Sequence, residues 1–112
     1  MAMEKVAFVI RGNSCFIVPG HIVLDKGDQI RFSVNGKCNS VTLMFPDGSI
    51  FSQSSPYIVT LTRGAAGAPG TQNQTLHVNQ NAQEGVYPFT AYCHDTGSLA
   101  IGGSDGEIII QT

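Results

Sequence analysis

The sequence predicts an all-β fold, an antiparallel sandwich or barrel. Apolar residues recur with period two: Ile30, Phe32 and Val34 alternate with Gln29, Arg31 and Ser33, the pattern of a strand buried on one face. Such segments are short, and each is bounded by Gly, Pro, Asn or Asp. Together they fill the 112 residues and leave little room for a helix.

In chain order, strands are expected over Val6 to Ile10, Cys15 to Val18, Ile22 to Leu24, Ile30 to Val34 and Val41 to Phe45. They continue over Tyr57 to Leu61, Thr75 to Val78, Val86 to Tyr92 and Glu107 to Ile110. The turns between them have local chemistry: Pro19-Gly20, Asp25-Lys26-Gly27-Asp28, Asn35-Gly36, Pro46-Asp47-Gly48 and Asp105-Gly106 place Gly or Asn where positive φ costs little. A long polar excursion is expected at about 63–85, with one short strand around His77. Its Gly64 to Gly70 run lacks the Lys-Ser/Thr of a phosphate loop and no helix follows it, so it reads as a loop. Asn73-Gln74-Thr75 is a glycosylation sequon, relevant only in a secreted eukaryotic context.

Length and composition bound the function. A chain of 112 residues is expected to form a single domain over residues 1–112, and 42% hydrophobic residues with six Phe supply a core without disulfide staples. The net charge is −2, and the six Lys and Arg are scattered singly, which excludes a nucleic-acid partner. No apolar run is long enough for a membrane helix, and no secretory leader opens the chain. As written, the protein is expected to be soluble and cytoplasmic unless a leader was removed. Its polarity comes from amides and hydroxyls rather than charge, so self-association is open to it.

Three cysteines, Cys15, Cys38 and Cys93, fit neither a disulfide framework nor a four-cysteine zinc site. Cys93-His94-Asp95 holds a nucleophile, a base and a carboxylate in a row, but successive residues of an extended chain point to opposite faces. A catalytic triad needs convergence, so no enzyme is expected. His21 and His77 read as turn and outward-strand residues, and the Phe positions read as core.

Three segments carry a resemblance. They are Lys26-Gly27-Asp28-Gln29-Ile30-Arg31-Phe32-Ser33-Val34-Asn35, then Asn39-Ser40-Val41-Thr42-Leu43, then Gly85 to His94 with the closing Gly106 to Ile110. Together they resemble a cupredoxin, the Greek-key β-sandwich of plastocyanin and azurin. The resemblance implies a Greek-key antiparallel β-sandwich, and in that family it implies copper held by a histidine, a cysteine, a second histidine and a methionine. Carried onto this chain by counting from Gly85-x-Tyr87-x-Phe89 to His94, those positions are Asn39, Ala91, His94 and Leu99. Only His94 retains a ligand of the family's type. On that alignment the expectation is no cofactor, because a blue centre depends on its thiolate and two imidazoles.

An atypical copper or zinc site stays open, since Cys38 precedes Asn39 and Cys93 precedes His94. Cys38, Cys93, His94 and His21 would be its ligands. The same two cysteines could instead form a disulfide or pack as small hydrophobes, and Cys15, beside Phe16 and Ile17, reads as core.

The leading expectation is therefore a non-catalytic binding module for an unidentified protein or small ligand, docking around His94, Leu99 and the loop from Asn35. Its alternative is a copper-binding electron-transfer or metal-handling protein with a nonstandard ligand set. A third reading is an adhesive or carbohydrate-binding sandwich using Thr71 to Gln83. Leu99 either anchors an exposed apolar patch or plugs the space a metal would fill.

Overall fold

The computed structural model describes residues 3–53, 55–63, 72–101 and 106–111. Its strands are β1 (Met3–Arg11), β2 (Ser14–Val18), β3 (His21–Asp25), β4 (Gln29–Val34), β5 (Ser40–Phe45), β6 (Tyr57–Thr62), β7 (Asn73–His77), β8 (Gly85–Pro88), β9 (Thr90–Cys93), β10 (Ser98–Leu99) and β11 (Glu107–Gln111). A 3-10 turn spans Ser49–Phe51. The Gly64 to Gly70 loop, Thr71 and Asp105 lie outside the described residues.

Three sheets run in the orders β2-β1-β4-β7, β10-β9-β5-β6 and β3-β11-β8. Each keeps open edges among the described residues, so the fold is a sandwich and not a closed barrel. Most pairs are antiparallel. The parallel pairs β1–β4 and β3–β11 arise because the chain leaves one sheet and returns to it through another.

Strict alternation builds the core. In β4, Ile30, Phe32 and Val34 point inward, and in β5 Val41, Leu43 and Phe45 do the same. Phe32 packs against three other rings, with centroids 6.2 Å from Phe8, 5.9 Å from Phe45 and 5.7 Å from Phe89. Each such buried ring removes enough apolar surface from water to contribute about 2–3 kcal/mol.

The segment expected as one strand from Val86 to Tyr92 is two. β8 pairs with β11 and β9 pairs with β5, so the chain changes sheet at Phe89. Pro88 has no N–H to continue a ladder, and the Phe89 N–H instead donates to the Gly106 carbonyl at 2.9 Å. The two-residue β10 is too short for periodicity to reveal. Among the described residues no helix is long and apolar enough to cross a membrane.

Candidate metal centre

Three different elements deliver the three cysteines to one place. In β2 the pleat turns Cys15 and Ile17 inward, and Cys15 stands opposite Ile10 of β1. The Cys15 carbonyl also accepts the N–H of Ile101 at 2.8 Å, which fixes the strand on its other side. Cys38 lies in the turn between β4 and β5, where Gly36 supplies the positive φ of 63° and the Cys38 N–H donates to the Asn35 carbonyl at 3.1 Å. Cys93 closes β9 opposite Val41, and its carbonyl accepts the Gly97 N–H at 2.9 Å.

All three side chains are fully buried. The Sγ atoms lie within 4.8 Å of one another, and the Cys38 and Cys93 sulfurs are 3.9 Å apart. Burial raises the Cys15 thiol far above its ordinary range, with Cys93 and Cys38 adding to the shift. Burial, reinforced by the neighbouring Cys93, pushes Cys38 up to about 12. Burial acts on Cys93 in the same sense, but hydrogen bonds from Thr96, Cys15 and the Asp95 backbone outweigh it and hold this thiol below its usual value. One thiol of the three is thus poised to ionise ahead of the others.

A carboxylate ties two of the cysteine-bearing segments together. Asp95 Oδ2 accepts the backbone N–H groups of Asn39 at 2.8 Å and Ser40 at 3.1 Å, while Oδ1 accepts Asn39 Nδ2 at 3.0 Å. The His94 N–H adds a bond to the Ser40 carbonyl at 3.0 Å.

The histidines lie elsewhere. His94 is exposed, its Nε2 sits 2.8 Å from Thr42 Oγ1, and its ring packs edge-on against Tyr92. His21 is exposed on β3 and pairs with Glu107 at 2.9 Å. Cys93 points inward, His94 outward, and Asp95 is engaged by Asn39 and Ser40, so these consecutive residues do not converge. Asn39 and Asn35 are exposed, and Ala91 is buried in β9. Leu99 is 59% exposed and, with Thr90, Ala91 and Ala100, lines a cavity of about 290 Å³.

No protein-family model matches the chain, and no curated protein sequence does. Solved structures do. A reduced Cu(I) form of a proline-to-glycine amicyanin variant matches with a TM-score of 0.59 and 10% identity, over 97% of this chain and 82% of that one. A methionine-to-alanine amicyanin variant with Cu(I) gives 0.60 at 10% identity over the same shares. A pseudoazurin from Sinorhizobium meliloti gives 0.56 at 16% identity, covering 100% of this chain and 76% of its own. The fold is that of a cupredoxin.

On a cupredoxin fold, the cysteine cluster corrects the expectation that the chain carries no cofactor. Counting along the ligand loop sought a thiolate at Ala91 and an imidazole at Asn39, whereas three thiol donors converge from β2, the β4–β5 turn and β9. Cys38 and Cys93 were legible as neighbours, since each adjoins a position that the resemblance marks. Cys15 was not. Its inward place in β2 is the mark of a core residue, and alternation gives the same signal for a buried sulfur that packs and one that binds.

Proposed function

We propose that this protein binds a thiophilic metal ion, copper(I) before zinc, between Cys15, Cys38 and Cys93, and that its role is metal handling rather than catalysis. The observation that carries this reading is the meeting of three buried sulfurs within 4.8 Å. Sulfurs each about 2.3 Å from a shared ion stand about 4 Å apart, and the Cys38–Cys93 separation is 3.9 Å.

The donor chemistry selects the metal. Thiolates favour Cu(I) and zinc, whereas a blue centre takes two imidazoles with its single thiolate. Structural zinc is almost always four-coordinate, and among the described residues this cluster offers three donors. That count favours Cu(I), which also appears in the amicyanin structures of the same fold. When bound, the ion would supply a soft, reduced centre shielded from water. The chain's own part is to bury the thiols and hold them close, with Cys93 giving up its proton first.

The test is anaerobic loading with Cu(I) or Zn(II), desalting and elemental analysis. One copper ion per chain, with loss of titratable thiols and no intense visible band, is the expected result. Cys15→Ser, Cys38→Ser and Cys93→Ser should each weaken retention by at least tenfold. A folded protein that desalts free of both metals, or serine variants that retain the ion as well as the parent, would overturn the reading.

A further inference from the structure

We infer that Cys38 and Cys93 are also a redox pair, which closes reversibly to a disulfide and takes two of the three thiols out of the metal site. The inference rests on the metal site proposed above for its consequence, and on independent geometry for the bond itself.

The two sulfurs are 3.9 Å apart, and a disulfide needs about 2.05 Å. Side-chain rotation of about 1 Å at each sulfur closes that gap, because the backbones are already held together. Asp95 clamps the residues that follow Cys38, and it lies two positions beyond Cys93. Cys38 sits in a turn outside the strands, whereas Cys15 and Cys93 are each held by pairing on both sides, Cys15 between β1 and the Ile101 contact and Cys93 between Val41 of β5 and Ser98 of β10. The Cys38–Cys93 pair is singled out by its 3.9 Å separation and by the Asp95 clamp that joins the two segments.

With hydrogen peroxide as the oxidant, the step balances. One thiolate attacks the peroxide to give a sulfenic acid and hydroxide; the second thiol displaces water and forms the S–S bond. Overall, two thiols and one peroxide give one disulfide and two waters. A dithiol reductant reverses the step by exchange.

The experiment treats reduced, full-length protein with peroxide, unfolds it under acid, and counts thiols while mapping cross-linked peptides. The expected result is a fall from three thiols to one, a single Cys38–Cys93 cross-link, and return to three with dithiothreitol. Cys15→Ser, checked for folding by circular dichroism, should form the same cross-link. Three remaining thiols, or a cross-link through Cys15, overturns the inference. A parallel arm measures Cu(I) retention. Oxidised protein should lose at least tenfold in retention and regain it on reduction, and undiminished retention by the cross-linked protein overturns the gating. Failure of the reduced protein to bind metal would instead sink the proposed function, while the thiol count still decides the bond.

Discussion

The Asp95 carboxylate accepts the Asn39 backbone N–H at 2.8 Å, and that single contact joins the turn that carries Cys38 to the strand end that carries Cys93. Two further bonds, from Ser40 N–H and Asn39 Nδ2, complete the clamp. Burial alone would raise this carboxyl, but the bonds from Asn39 and Ser40 outweigh it and lower its pKa from 3.8. A group held below its unfolded value contributes stability above pH 4 and loses it as the pH falls through the folded pKa. Asp95→Ala should therefore cost about 1 kcal/mol at neutral pH, below the range usual for bonds to a charged group because Asp95 is exposed. Urea melts should show the difference between variant and parent shrinking below pH 4. An equal difference at pH 2.5 would refute the charge-assisted clamp.

Alkaline pH should destabilise the reduced, metal-free protein. Burial raises Cys38 from 9.0 to about 12 and raises Cys15 further. The folded state therefore holds protons that the unfolded chain releases above pH 9, so stability is intact below pH 9 and falls through the folded pKa. The slope is about 1.4 kcal/mol per pH unit for each such group. Cys93 shifts the other way and completes its contribution by pH 9, so it does not cancel the loss. Melting temperatures from pH 8 to 11 check this, with Cys38→Ser expected to flatten the decline. A parent curve as flat as that of Cys38→Ser would contradict it.

The strands were legible because half-burial writes period two into the sequence, as in Gln29–Val34 and Ser40–Phe45. The break at Phe89 was less so. Phe89 keeps the alternation of the expected strand, buried like Ala91 and flanked by exposed Pro88 and Thr90, and only the tertiary pairing of β8 with β11 and β9 with β5 shows that the chain changes sheet there. The cysteine cluster was half legible. Cys38 and Cys93 adjoin positions of a local motif, whereas Cys15 joins them from a distant strand through sandwich packing that no spacing along the chain encodes.

Gly106 should not tolerate a side chain. Its φ is +69°, and an added Cβ would stand 3.0 Å from the Phe89 carbonyl oxygen and 3.1 Å from its ring. Both the left-handed backbone and the contact oppose alanine, at the point where Phe89 N–H bonds to the Gly106 carbonyl. Gly106→Ala should lose about 1–3 kcal/mol, read as a lower urea midpoint at unchanged slope. A midpoint equal to the parent's would show that this turn relaxes freely.

Leu99→Asp separates an exposed apolar side chain from a plug. Leu99 lies in the two-residue β10 opposite Tyr92, and it is 59% exposed. At that exposure the carboxylate remains hydrated, so no charge is forced into the core. The expected change in stability is within about 0.5 kcal/mol, as for other surface substitutions. Were Leu99 instead sealed inside the cavity it shares with Ala91 and Ala100, an unpaired charge there would cost roughly 3 kcal/mol or more. Thermal melts of the two proteins, with sedimentation velocity run alongside, give both answers. A melting temperature lowered by more than about 10 °C would place Leu99 in the interior. An unchanged melt with reduced self-association would make it part of a contact surface beside Tyr92, on the outer face of the sheet that contains Cys93.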